Sequence, residues 1–185
     1  MNIEKIYNIF MDEFYETMSK ANAEYHKSLD ESKIIESQPI IIDIQDYYKY
    51  NHDYKLIFNL LNELTDTPIL KHQTYLEIIN NLTSQHKIFV CIKNDNNIST
   101  PIGIITLLIE QKLIHGGSKI AHIEDLVVEK NFRRLKIGTK LLRHCIDYAR
   151  DRGCYKVILD CSESLENYYQ FNHFHKSGIQ MRMNI

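Results

Sequence analysis

The stretch that most narrows the choice of fold runs from Ile123 to Gly153. Ile123-Glu124-Asp125-Leu126-Val127-Val128 has the composition of a strand. It passes through Glu129-Lys130-Asn131-Phe132 into Arg133-Arg134-Leu135-Lys136-Ile137-Gly138-Thr139, and an amphipathic run over 137–152 ends at Gly153. The order predicts strand, cationic turn and helix, the helix stopped by a glycine. The first N–H groups of such a helix lack intrahelical acceptors, and the helix dipole adds positive charge there, so the turn suits a phosphate. Arg133, Arg134, Lys136 and Lys140 surround it with cations, and Gly138 lets a ligand approach the backbone closely. Charge alone favours the plainer reading, a solvated basic helix start.

Around this unit the periodicity predicts the order β-α-α-β-β-β-α-β-α-β. A strand at Ile40-Ile41-Ile42 follows Pro39. Helices are expected over 46–63 and 72–83, with a loop at Thr65-Asp66-Thr67-Pro68 between them. Ile88 to Ile92 is a continuous apolar run of the kind found in buried strands. After a polar turn over 94–100, strands at 102–113 and 119–128 flank a hairpin turn at Gly116-Gly117. Val157-Ile158-Leu159, a short helix over 164–171 and a last strand over 179–184 complete the chain. The class is α/β (α+β), a mixed sheet covered by helices. Residues 1–38 are an extension: Ile3, Ile6, Ile9, Phe10, Phe14 and Met18 have helical spacing, and 28–37 is a polar linker. The domain proper is 39–185.

At 185 residues the chain suffices for one domain with a sizeable core. Its formal net charge of −2 does not mark a general nucleic-acid binder, and no apolar run is long enough to cross a bilayer. The charged N-terminus lacks the pattern of a signal peptide, so a cytoplasmic location is expected. Cys91, Cys145, Cys154 and Cys161 form no CxxC pair and are expected as free thiols. His173 and His175 would face one way on a strand, but no carboxylate or cysteine is spaced to complete a metal site, so none is expected.

Arg133-x-x-x-x-Gly138 after a strand resembles the acetyl-CoA pyrophosphate loop of the GNAT superfamily, usually Q/R-x-x-G-x-G/A, with Lys136 in place of a glycine. His122-Ile123-Glu124-Asp125 before the loop, Cys154-Tyr155-Lys156-Val157-Ile158-Leu159-Asp160-Cys161 after the helix, and Tyr168-Tyr169 beyond are similar to the glucosamine 6-phosphate N-acetyltransferase branch. So is the closing Gly178-Ile179-Gln180-Met181-Arg182. The similarity covers about residues 110–183, with a shorter match at Leu64-Thr65.

The resemblance implies a GNAT acyl-CoA N-acyltransferase fold, splayed between its two central parallel strands. It implies acetyl transfer from acetyl-CoA to the amine of glucosamine 6-phosphate, toward UDP-N-acetylglucosamine, in a homodimer whose C-terminal strand completes the partner's site. It puts Leu126, Val127, Val128, Arg133, Arg134, Leu135, Lys136, Ile137, Gly138, Thr139, Leu165 and Tyr168 on the coenzyme. Glu124 and Asp125 fall on the sugar hydroxyls, Leu64 and Thr65 on the sugar phosphate, and Asp160 on the amine. Tyr169 becomes the general acid for the departing sulfur. With a thiol near pKa 8.5 and tyrosine near 10, that transfer is uphill by roughly 2 kcal/mol.

Each residue also has a plainer role. Glu124 and Asp125 suit a solvent-facing strand end, Asp160 a helix cap, Leu64 and Thr65 a helix end and turn, and Tyr169 a packing contact. The chain departs from the family pattern at Lys136, at Leu165 where asparagine is usual, and at His173 where glycine is usual. Asn184 replaces a phosphate-binding arginine, and Arg182, two residues away on the same strand face and roughly 6.6 Å distant, is the candidate to replace it. The alternatives are a GNAT enzyme for a peptide, lysine or polyamine amine, or a non-catalytic acetyl-CoA-binding module.

Overall fold

In the computed structural model, which describes residues 38–51, 53–95 and 98–185, the β-branched run after Pro39 forms the first strand. This β1 (Ile40–Asp43) leads into α1 (Ile44–Tyr50), capped by Asp43 Oδ1, which accepts the Gln45 N–H at 2.9 Å. Helices α2 (Lys55–Leu61) and α3 (His72–Asn80) precede three long strands, β2 (His86–Asp95), β3 (Ile98–Gln111) and β4 (Lys119–Val128). Then come α4 (Ile137–Asp151), β5 (Cys154–Leu159) and α5 (Glu166–Phe171). The sheet order is β1-β2-β3-β4-β5, antiparallel throughout except for the parallel β4–β5 pair, which α4 connects. This is the mixed, helix-flanked sheet that the sequence predicts. The helix and linker expected within residues 1–37 lie outside the described residues.

The core is divided by the sheet. Ile137, Leu141, Leu142, Cys145 and Ala149 form the buried stripe of α4 and pack on Phe89, Cys91, Ile105, Leu107, Ala121 and Ile123. On the other face α1, α2 and α3 bury Tyr47, Ile57, Phe58, Leu60 and Tyr75 against Val90, Ile92, Ile104 and Val127. Because β2 is covered on both faces, its apolar run has no polar alternation. Pro101 sits inside β3, opposite a register shift between Cys91 and Ile92, where a missing N–H is tolerated.

The structure corrects two expectations. The single helix over 46–63 is two helices. Asn51 leaves the helical region at φ −135°, its Oδ1 accepts the Asp53 N–H at 3.1 Å, and Asp53 Oδ1 accepts the Lys55 N–H at 3.2 Å. These side chains compete for the backbone, ending one helix and starting the next. The strand over 179–184 is absent: the tail has no ladder partner among the described residues, and Ile179, Met181 and Met183 are 84–88% exposed. A lone extended segment has nothing to satisfy its backbone groups except water.

Cys91 and Cys145 are fully buried, and burial pushes their thiols up to about 11 and about 12. In the unfolded chain thiols ionise near 8.5, so above about pH 8.5 the unfolded state holds fewer protons than the folded one and stability falls as pH rises. Melting temperature is therefore expected to decline from pH 9 to 11, and more gently in a Cys91→Ala/Cys145→Ala variant. Equal slopes for the two proteins in a pH series of thermal melts would refute the assignment to these thiols.

Candidate active site

The site begins where the parallel strands separate. The β4–β5 ladder stops at Ile123–Leu159, while β4 continues to Val128 and stays paired with β3. A bulge drives the divergence: the β3–β4 register shifts between Ile104 and Thr106, and Asp125 takes φ +52°, a backbone that aspartate tolerates better than most residues. Thr106 donates across the strands to Asp125 Oδ2 at 3.2 Å and holds the bulge from the buried side. One edge of Glu124 to Val128 is thereby left without a neighbouring strand. Leu126 and Val128 are half-buried there, and Val127 turns into the opposite core.

Beyond Val128 the chain turns through Lys130–Phe132 to α4. Arg134 stands at φ +66° and Lys136 at φ +61°, both left-handed. Left-handed Lys136 followed by the right-handed start of α4 points successive N–H groups into one concavity, an anion nest. The first intrahelical bond of α4 is Lys140 N–H to Lys136 O at 3.0 Å, so the N–H groups of Ile137, Gly138 and Thr139 are without helical acceptors. Lys136 makes the turn that glycine makes in the family pattern, at a conformational cost of roughly 1–2 kcal/mol. Arg134, Leu135 and Lys136 are exposed on its rim. Gly138 meets Tyr168: a Cβ there would lie 2.5 Å from the Tyr168 hydroxyl. Burial raises the pKa of that hydroxyl, and its hydrogen bond with Thr139 opposes the rise.

Arg133 does not reach into the nest. Its Nη2 donates to Glu63 Oε2 at 2.7 Å and its Nε to the Val128 carbonyl at 3.0 Å. Glu63 Oε1 also accepts the Lys130 N–H at 3.2 Å. Glu63 stands in the turn just after α2, next to Leu64 and Thr65, whose own N–H groups donate to the Leu61 carbonyl at 2.9 and 3.2 Å. In this arrangement the Leu64–Thr65 turn offers a phosphate the Thr65 hydroxyl rather than its backbone.

On the β5 side, Asp160 follows the strand end. It does not cap the helix behind it; its Oδ2 accepts from Gln180 Nε2 of the tail at 2.8 Å. Glu124, Asp125 and Asp160 share one electrostatic neighbourhood. Burial, then Asp125, then Asp160 raise the Glu124 pKa, and His122 opposes them. Tyr169 is buried on α5, its ring edge-on to Tyr168 with centroids 5.1 Å apart and to Phe174 at 6.0 Å. Burial first, then Tyr168 and Cys161, pushes its hydroxyl up to about 12. Leu165, half-exposed, precedes the first residue of α5. His173 stands at φ +69°, the conformation that explains glycine in the family pattern; it lies in a loop, so His173 and His175 do not share a strand face. Arg182 donates to Asn184 at 2.8 Å on the exposed tail and pairs with none of the site's acids among the described residues. Among the described residues no cluster of His, Cys, Asp and Glu could hold a metal ion.

The structure thus sets Asp160 beside the acid pair at the end of the β4–β5 ladder and Tyr168 against Gly138 at the cationic turn, while Arg182 bonds Asn184 on the tail. Sequence reasoning missed Glu63, Thr106 and Gln180. Glu63 lies 70 residues from Arg133, and nothing local in the sequence marks it.

The sequence pattern of the acetyltransferase (GNAT) family matches residues 54–174. This chain belongs to the GNAT acetyltransferase family. Among its relatives, glucosamine 6-phosphate N-acetyltransferase 1 of Dictyostelium discoideum is 33% identical over 122 residues, 65% of this chain and 77% of that protein. Glucosamine 6-phosphate N-acetyltransferase of Trypanosoma brucei brucei is 30% identical over 78% of this chain and 98% of its own length. The crystal structure of the Arabidopsis thaliana glucosamine-6-phosphate N-acetyltransferase superposes with a TM-score of 0.70 at 27% identity, over 80% of this chain and 99% of that one. The co-substrate of the GNAT family is acetyl-CoA. The Cβ-free position at Gly138 and the unpaired edge of β4 fit it.

Proposed function

We propose that this GNAT enzyme transfers the acetyl group of acetyl-CoA to the amine of glucosamine 6-phosphate, giving N-acetylglucosamine 6-phosphate and coenzyme A, a step toward UDP-N-acetylglucosamine. The observation that carries the reading is the meeting of Glu124, Asp125 and Asp160 beside the opening between β4 and β5. Acids there suit a hydroxyl-rich, cationic acceptor. The relatives' names and the matching blocks around these residues support the same acceptor.

The pantetheine arm pairs with the free edge of β4 as an added strand, which holds the thioester still. Asp160 accepts from the acceptor nitrogen and aims its lone pair. The neutral amine attacks the thioester carbon, the C–N bond forms, the C–S bond breaks, and one proton passes from nitrogen to sulfur in the balance. Tyr169 donates a hydrogen bond to the departing sulfur. With its hydroxyl near 12 and a thiol near 8.5, full transfer from tyrosine is uphill by roughly 5 kcal/mol, well above the gap for an ordinary tyrosine. Tyr169 therefore steadies the thiolate while the proton leaving the amine neutralises it. No enzyme nucleophile enters, Cys161 included.

The tail supports a homodimer. Ile179, Met181, Met183 and Ile185 alternate with Gln180, Arg182 and Asn184, all exposed, in the pattern of a strand waiting for a partner. Pairing with a second copy would order it and bring Arg182 toward a neighbouring acceptor site.

The test is thiol release across glucosamine 6-phosphate, glucosamine, peptides and polyamines. Glucosamine 6-phosphate should exceed each of the others in kcat/KM by roughly 100-fold or more, since a site built for polar groups rejects acceptors lacking them. Faster turnover of a peptide or polyamine would overturn the acceptor, and coenzyme binding without thiol release would favour a binding module. Cys161→Ala should retain turnover.

A further inference from the structure

Among the described residues, Glu63 is the carboxylate that touches both halves of the site. Its Oε2 holds Arg133 at 2.7 Å and its Oε1 the Lys130 N–H at 3.2 Å, while Arg133 Nε anchors to the Val128 carbonyl at 3.0 Å. The clasp therefore grips the end of β4, the Lys130 turn and the first residue of the coenzyme loop at once. The two residues after Glu63 form the Leu64–Thr65 turn, further ordered by Asn62 Oδ1, which accepts the Thr67 N–H at 2.7 Å, and by the Thr67 hydroxyl on the Thr65 carbonyl at 2.8 Å. Movement of either turn must be transmitted through Glu63 or break its bonds. The pair is too exposed to stabilise the fold much, with Arg133 at 51% and Glu63 at 27%, so its consequence lies in position.

We infer that Glu63 and Arg133 form a positioning clasp that couples the coenzyme loop to the acceptor-phosphate turn, so that each substrate binds more tightly when the other is present. Arg133 acts through the loop it shapes, not as a ligand of the pyrophosphate. This rests on the reading that the 133–139 turn receives acetyl-CoA and the Leu64–Thr65 turn the sugar phosphate. Ordering one turn prepares the other, and the coupling is reciprocal by linkage.

Calorimetry on the full chain tests it, with coenzyme A in place of acetyl-CoA so that nothing turns over. In the wild type, saturating glucosamine 6-phosphate should tighten coenzyme A binding by roughly 5-fold or more. Glu63→Ala should bring that factor to within about 2-fold of unity, Glu63→Gln should retain part of it through neutral hydrogen bonds, and Glu63→Ala/Arg133→Ala should be no worse than either single change. Melting temperature should move by no more than about 3 °C, which separates positioning from misfolding. A full coupling factor in Glu63→Ala, with coenzyme A binding intact, overturns the clasp alone. A wild type that binds coenzyme A but shows no coupling also overturns it. A wild type that binds no coenzyme A overturns the clasp together with the functional reading beneath it.

Discussion

Tyr169→Phe is expected to lower kcat by roughly 100- to 1,000-fold while the KM values of both substrates stay within about threefold. The substitution keeps the ring, and with it the edge-on contacts to Tyr168 and Phe174 that seat α5 against the core. In the proposed mechanism it removes a donor to negative charge that exists only as the C–S bond breaks, so the loss would fall on the transition state and spare the ground state. The pH profile is a second signature. Burial keeps the Tyr169 hydroxyl protonated to about 12, so the wild-type rate should show no alkaline loss from this group up to about pH 10. At the acid end the rate should fall as the acceptor amine is protonated, and the Tyr169→Phe change should leave that limb unmoved. A Tyr169→Phe enzyme with near-normal kcat under saturating substrates would assign the tyrosine to packing alone.

Gly138→Ala is expected to weaken coenzyme binding by roughly 10- to 100-fold. The added methyl would stand 2.5 Å from the Tyr168 hydroxyl and 3.6 Å from Val128 Cγ2, at the mouth of the nest. Overpacking of this kind costs roughly 1–3 kcal/mol, and each 1.4 kcal/mol is tenfold in affinity. The ring must retreat, which breaks the Thr139 hydrogen bond and pushes on Tyr169, so kcat should fall along with affinity. The rescue is specific. Tyr168→Phe in the Gly138→Ala background removes the clashing oxygen and leaves the ring carbon at 3.5 Å, an ordinary contact. Calorimetry should then show at least about fivefold of the lost affinity restored. If Gly138→Ala binds coenzyme A like the wild type, or if the double change recovers nothing, the steric account is wrong.

How much of this was legible follows the range of the interactions. The strand, turn and helix from Ile123 to Gly153 were readable because local signals, namely apolar periodicity, clustered cations and a terminating glycine, agree with the fold that forms. β2 was readable as buried because a two-sided environment leaves no polar residues in the run. The break at Asn51 was not, because side-chain capture of the backbone by Asn51 and Asp53 overrides a helical spacing that continues through it. The terminal strand was misread for the opposite reason. Alternation in the tail is real, but strand geometry belongs to a pair, and the described residues supply no second member. In the site, only the resemblance singles out Tyr169 and Asp160, and the engagement of Arg133 by Glu63 depends on two turns meeting in space and has no local mark. Lys136 was read as a departure from glycine, yet the turn keeps the left-handed geometry at that position.

The early end of the β4–β5 ladder also bears on endurance. A sheet whose last ladder stops short leaves part of its own cohesion to be supplied from outside. A guest that pairs with the free edge binds the native state and not the unfolded chain, so it raises apparent stability by about 2.7 kcal/mol at 100 times its dissociation constant. The lifetime of this protein would then follow the supply of acetyl-CoA, and scarcity of the donor would thin out the catalyst as well as slow it.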